Sequence, residues 1–496
     1  MSTTNGGHLD PTLGLTLKTV KERAVKGVVV LTGRTFFLSV VSLIATGLLT
    51  VFLEPSEFGV FWIVSAVVNF LAYFSDIGLA AALIQKKKKL SEDDLRTTFT
   101  VQQGLIFILL FILVMLTPFF MRHYGLSDDG KWLLYALGLS LAMSSFKTIP
   151  SVLLERELEF EKLVIPQVLE NLVYNTIAVT LAWMGFGIMS FTYAVLARGM
   201  VGLVAIYIIK PWLPRLAFSK KSFRSLLGYG VPYQLSALLA TVKDDGMTVV
   251  LGGILGPAGV GLLGWAQKWG QAPLRFFMDH VIKVTFPAFA RMQDEKDHLK
   301  RSLERSILFI CLLVFPSVAG LLIVAPMLVE IIPRYEKWAP ALIPLFFISI
   351  NTIFAAVTTQ LTNLLNSIGK IKVTLKLMIM WVTLTWLFIP FLAIRYGING
   401  AAFGYMLVGT SSVVAVYVAR KYVPFSFKAS FVFPAISSFI MFIILLAIRS
   451  RLSVSAMSVA MLVVSGMVIY LISTYFFLGS SIVNDVKKSF KTIFSR

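Results

Sequence analysis

Thiols and imidazoles are nearly missing from this chain: one cysteine, Cys311, and four scattered histidines, His8, His123, His280 and His298. A lone cysteine closes no internal disulfide, and histidines so far apart assemble no metal cluster, so neither a disulfide framework nor a zinc-type site is expected. Charge is scarce as well, at 14% of residues against about one-quarter in a soluble domain. Acids are scarcer than bases, 25 against 45. No G-x-x-x-x-G-K-[ST] segment is present, which removes a phosphate-binding loop as energy source, and no cofactor is expected. Long polar intervals are also lacking, so no loop can hold a catalytic domain. The first residues, "MSTTNGGHLDPTLGLTLKTVKERAVKG", have no early apolar core and do not read as a signal peptide.

What fills the 496 residues instead is hydrocarbon: 57% hydrophobic residues and a mean hydropathy of +0.82. That composition belongs to a polytopic membrane protein. Crossing the hydrocarbon core takes roughly 20 mostly apolar residues in a helix, because lipid leaves open sheet edges unpaired. Fourteen such runs are expected, at 27–53, 58–84, 97–121, 132–154, 163–185, 187–210, 227–254, 257–284, 306–332, 339–364, 371–394, 397–419, 429–448 and 455–479. With the N-terminus inside, 31 of the 45 basic residues fall in inner loops, 7 in outer loops and 7 within spans. The positive-inside rule then puts both termini in the cytoplasm. It also accounts for most of the +20 net charge, so no nucleic-acid partner is needed.

The runs divide the chain into a cytoplasmic segment 1–26, a six-helix bundle 27–210, a linker 211–226, a second six-helix bundle 227–419, two further helices within 429–479 and a basic cytoplasmic tail 480–496. The stretch "PWLPRLAFSKKSFR" reads as the hinge between halves, and "QKKKKLSEDD" as a topogenic run at the anionic leaflet.

The two halves share a short motif. "LEPSEFGV" (53–60) and "LGPAGVGL" (255–262) both fit Leu-x-Pro-x-x-x-Gly-aliphatic, and each precedes a span with an Asp, Asp76 or Asp279, near its inner end. Together with "FSDIGLAAALIQ", "LLERELEFEKL" and "LGPAGVGLLGWAQKWGQAPLRFF", these segments resemble the bacterial polysaccharide transporters, WzxC-like oligosaccharide flippases of the multidrug/oligosaccharidyl-lipid/polysaccharide (MOP) exporter superfamily. The resemblance covers about residues 25–425. It implies an all-α fold of two six-helix bundles facing a central cavity, plus C-terminal helices, in the cell (inner) membrane. It implies movement of a polyprenyl-diphosphate-linked oligosaccharide to the outer leaflet, with membrane lipids, a polysaccharide polymerase and export proteins as further partners. Where many members carry an Asp before "GGILG", this chain has Met247, and its acids stand two or three residues earlier.

Charge inside spans costs about 2.5–3.5 kcal/mol per residue at a helix centre, so each such group needs water or a partner. The candidate substrate-binding cations are Arg34, Lys147, Arg198, Lys243, Lys268 and Arg275, with Lys283 deeper toward the inner interface. The candidate ion-coupling acids are Asp76, Asp244, Asp245 and Asp279, with Glu170 a further acid within the spans. Lys268, Gln271, Arg275, Asp279 and Lys283 share a sector of about 120° on one helix. Plainer roles stand beside these: Arg34 and Lys283 snorkelling to the interface, Asp279 pairing with Arg275 and Lys283, Asp76 capping a helix at its turn, and Lys243 with Asp244 as a neutralising pair. Arg198 and Lys268 have no opposite charge nearby in sequence. Two other functions stay open: a multidrug exporter of the same superfamily, disfavoured by the basic excess, and a polytopic glycosyltransferase or ligase, disfavoured by the short loops. Not an enzyme is the expected class.

Overall fold

In hydrocarbon every backbone N–H and C=O must be paired inside the chain, and among the described residues all regular structure is helical. The computed structural model describes residues 17–86 and 90–479, apart from the side chains of 17–32, 229, 231–233, 235–237, 279 and 280. Most of the expected N-terminal segment, lysines 87–89 of the topogenic run, the basic tail 480–496 and the side chain of Asp279 therefore lie outside the described residues. The chain forms two compact units, Met1–Gly261 and Leu262–Arg496.

The first unit holds α1 (Leu17–Phe52), α2 (Pro55–Ala72), α3 (Leu79–Gln85), α4 (Glu92–Tyr124), α5 (Asp128–Phe146), α6 (Thr148–Arg156), α7 (Phe160–Trp183), α8 (Met189–Ile209) and the first part of α9 (Lys220–Arg291). Local chemistry sets the ends. At the start of α4, Ser91 Oγ accepts from the Asp94 N–H at 3.2 Å while the Asp94 carboxylate accepts from the Ser91 N–H at 3.0 Å, a reciprocal cap. Gly125, at φ 61°, ends the same helix in the left-handed region. Pro55 opens α2 at a position where a missing N–H costs nothing. Residues 211–219 carry no regular structure but are tied to α4, since Thr100 Oγ1 bonds the Ala217 carbonyl at 2.9 Å and accepts from its N–H at 3.0 Å. Leu79, Leu83, Leu95, Phe99, Ile149 and Leu153 make one buried cluster of this unit.

The second unit holds the rest of α9, then α10 (Lys296–Ile331), α11 (Leu342–Ser367), α12 (Ile371–Thr410), α13 (Ser412–Arg420), α14 (Phe433–Arg449) and α15 (Ala456–Leu478). Its core runs along α10, where Ile307, Ile310, Cys311, Val314 and Val318 meet Ala356, Leu361 and Leu364 of α11. Large side chains are also exposed in rows, Phe107, Ile108, Phe111 and Met115 on α4 and Leu471, Ile472 and Phe476 on α15. Exposed apolar rows of this length suit acyl chains.

Ten helices of the described residues are long and apolar enough to cross a membrane, eleven if one bent pair is a single span. The expected number of fourteen differs for physical reasons. The 41-residue Leu238–Met278 and the 50-residue Ile371–Arg420 segments would each span twice the hydrocarbon thickness if straight. Each contains a break, at Gly256 (φ 67°) and Gly397 (φ 61°). α5 and α6, expected as one span, meet at 42°, with Lys147 at the bend. α7 misses the count because a polar stripe interrupts it.

The repeated motif acquires a geometry within the first unit. Gly59 lies against the Pro257 carbonyl, and Gly261 against the Pro55 carbonyl, so closely that a Cβ at either glycine would overlap the opposing backbone. The two Pro-x-x-x-Gly copies, one on α2 and one on α9, are thus each other's partners. Further along α9, Gly252 packs on Ile63 and Tyr124, and Tyr124 Oη donates to the Val249 carbonyl at 3.2 Å. A second backbone crossing joins Gly78, at φ 74°, to Gly230.

Candidate functional site

α7 organises the polar groups of the first unit. Gln167, Glu170, Asn171 and Tyr174 fall within a sector of about 100° on its surface. α1 and α8 are the helices that pack most extensively on α7, and cations from three elements converge on the stripe. Arg34 of α1 donates through Nη1 to Gln167 Oε1. Lys147, at the α5–α6 bend, reaches Glu170 Oε1 at 2.6 Å. Arg198 of α8 brings its Nε to 3.7 Å from the other oxygen, Glu170 Oε2, and its guanidinium carbon lies 5.9 Å from the centre of the Tyr174 ring. Asn171 adds a bond to Ser42 Oγ at 3.4 Å. Gly202, one turn beyond Arg198 on α8, leaves the room that the Glu170 carboxylate occupies.

Arg198 therefore has an opposite charge within reach in space, although none is near it in sequence. Its partner comes from another helix, 28 positions earlier in the chain, where no pattern along α8 could reveal it. Glu170, Gln167 and Tyr174 are the site residues that sequence reasoning did not assign. Their signal was present, as polar residues at helical spacing inside an apolar run.

Lys243 and Asp244 pair with each other at 2.9 Å, the lysine half-buried and the aspartate exposed. Asp245 beside them is half-buried, and Met247 is fully buried. Asp76 accepts from the Ala80 N–H through both oxygens at 3.2 Å. It thus satisfies one of the open donors at the start of α3, just ahead of the backbone crossing at Gly78. Asp76→Asn, which keeps an acceptor, is expected to leave thermal stability in detergent almost unchanged. Asp76→Ala is expected to lower it by about 1 kcal/mol, the usual worth of such a bond. Equal midpoints for the two variants would contradict the capping role.

In the second unit Lys268, Arg275 and Lys283 are exposed. Arg275 Nη2 donates to Gln271 Oε1 at 3.0 Å. Among the described residues none of the three meets an acid. The structure so brings Arg34, Lys147 and Arg198 together on α7, keeps Lys243, Asp244 and Asp245 as a separate group on α9, and sets Lys268 and Arg275 on the second unit. Among the described residues no group of three or more His, Cys, Asp or Glu could hold a metal ion.

An all-α polytopic membrane protein is what this architecture defines, and two solved membrane proteins share its fold. The lipid II flippase MurJ in an inward closed conformation matches with a TM-score of 0.75 over 91% of this chain and 99% of its own, at 16% identity. An inward-facing multidrug resistance MATE transporter of the MOP superfamily matches with a TM-score of 0.60 over 83% and 96%, at 15% identity. Residues 48–342 match the model of the polysaccharide biosynthesis protein family, and the chain belongs to that family. Among its relatives, the succinoglycan biosynthesis transport protein ExoT of Rhizobium meliloti (strain 1021) is 25% identical over 54% of this chain, and the match spans 54% of ExoT's own length. The lipopolysaccharide biosynthesis protein WzxC of Escherichia coli (strain K12) is 24% identical over 74% of each chain.

Proposed function

We propose that the protein is a flippase of the cell (inner) membrane that moves a polyprenyl-diphosphate-linked oligosaccharide from the cytoplasmic to the outer leaflet for surface polysaccharide assembly. It works by alternating access and is a carrier, not an enzyme. Family membership and the names of its relatives as transport and polysaccharide biosynthesis proteins support the cargo class. The observation that carries the reading is the cationic excess. In the first unit Lys147 and Arg198 share one carboxylate, and in the second Lys268 and Arg275 meet no described acid. A diphosphate is the natural complement, since Arg binds phosphate through a fork and Lys as a point charge. The same excess disfavours a multidrug exporter selecting cationic drugs. Coupling, where an ion drives the cycle, falls to Asp244, Asp245 or Asp279, while Asp76 serves α3.

Deletion of the gene tests this reading: surface polysaccharide is lost and a lipid-linked oligosaccharide accumulates. Unchanged surface polysaccharide would reject it. The accompanying topology has fourteen crossings with both termini cytoplasmic. Single cysteines at 56, 128 and 397 are expected to label from outside, and those at 91, 219 and 489 only from inside. Reversal at two of these positions would overturn the orientation.

A further inference from the structure

Lys147 and Arg198 flank one carboxylate but are held very differently. Lys147 Nζ sits 2.6 Å from Glu170 Oε1, and both side chains are largely buried, 17% and 12% exposed. Arg198 stands off at 3.7 Å through Nε alone, with 53% of its side chain exposed. The Tyr174 ring lies beside the guanidinium, and among the described residues its two Nη groups have no hydrogen-bond or ion-pair partner. A guanidinium held by one edge with its fork open is ready to grip a phosphate-class anion in bidentate fashion. The competitor for that fork is Glu170 itself. With one oxygen engaged by Lys147 and its stem lodged in the space left by Gly202, the carboxylate cannot swing fully onto Arg198.

We propose that Lys147 is a positioning residue and not an anion ligand: it occupies Glu170 so that Arg198 stays free to bind the anionic head of the cargo. This rests on the reading of the protein as a carrier of diphosphate-linked cargo. Lys147 and Arg198 then differ in kind, although both are cations beside the same acid. Removing Lys147 releases Glu170 to close on Arg198, and the anion loses its site without losing a direct contact.

The test uses the full chain in lipid nanodiscs, with geranylgeranyl diphosphate as probe and geranylgeraniol as uncharged control. Arg198→Ala and Lys147→Met are each expected to weaken diphosphate binding by about tenfold, the scale of losing one charged contact. Glu170→Gln added to Lys147→Met is expected to restore affinity to within about threefold of the original protein, because the two side chains act through one another. Glu170→Gln added to Arg198→Ala restores nothing, and Lys147→Arg binds normally. Neither Lys147 variant strands a buried carboxylate without a partner or neutralisation, so both are expected to fold, and monodisperse elution checks this. If the Lys147→Met/Glu170→Gln protein binds as weakly as Lys147→Met, or Lys147→Met binds normally, the positioning role is overturned while the diphosphate reading stands. If the original protein binds the alcohol as tightly as the diphosphate, the diphosphate reading falls and the positioning role with it.

Discussion

Lys268→Glu and Arg275→Glu, introduced singly, abolish surface polysaccharide while each protein remains in the membrane at its original abundance. That outcome is expected because both side chains are exposed and neither meets a described acid. Reversal there breaks no ion pair among the described residues, so the fold is expected to lose little, unlike the 3–5 kcal/mol that breaking a buried pair costs. What changes is the field met by the cargo. A diphosphate leaving water needs compensating cations, and a carboxylate in their place adds repulsion to an already expensive desolvation. Lys268→Arg keeps the charge and is expected to retain most of the export. Matched membrane abundance, read by immunoblot, separates lost transport from lost protein. Normal export by both Glu variants at normal abundance would remove the cationic selection of cargo.

Gly59→Leu and Gly261→Leu are expected to be more damaging to the fold than any charge change. Each side chain would have to enter the space of an opposing main-chain carbonyl, Pro257 or Pro55, and backbone cannot turn aside as a side-chain tip can. Overpacking of this kind costs about 1–3 kcal/mol even where side chains can give, and here α2 and α9 must move apart. Both variants are expected to show a lower thermal midpoint in detergent and reduced membrane abundance. Gly104→Leu is the control, since a Cβ there meets nothing within 4 Å. Midpoints for Gly59→Leu and Gly261→Leu equal to that of Gly104→Leu would show that the crossing contributes nothing.

The helices were legible in the sequence because an apolar run in lipid has only one way to pair its backbone. Two of their breaks were legible too, since the expected runs end and restart at 254/257 and 394/397, around Gly256 and Gly397. The 42° bend at Lys147 was read through as one span, although Pro150 just after it cannot donate to the Phe146 carbonyl. The Pro-x-x-x-Gly repeat was visible as two similar strings. That the copies face one another is a tertiary fact, set by Gly59 and Gly261 giving up their Cβ atoms. Of the candidate site, the cations could be picked out singly, since each is an anomaly in its span. Their grouping could not. Arg34, Lys147 and Arg198 come from different helices, and what gathers them is the stripe Gln167–Glu170–Tyr174 on a fourth. Helical periodicity along α7 carries that stripe, but only contact with α1, α5, α6 and α8 tells which cation each member holds.

Transbilayer movement is the most direct measure of the whole account. The purified protein is reconstituted in liposomes that carry a fluorescent polyprenyl-diphosphate oligosaccharide, and a membrane-impermeant quencher reports the leaflet in which the label resides. Label is expected to cross between leaflets with the original protein, and not with protein-free vesicles or with Arg275→Glu. Crossing no faster than in protein-free vesicles, with intact protein present in both orientations, would contradict it.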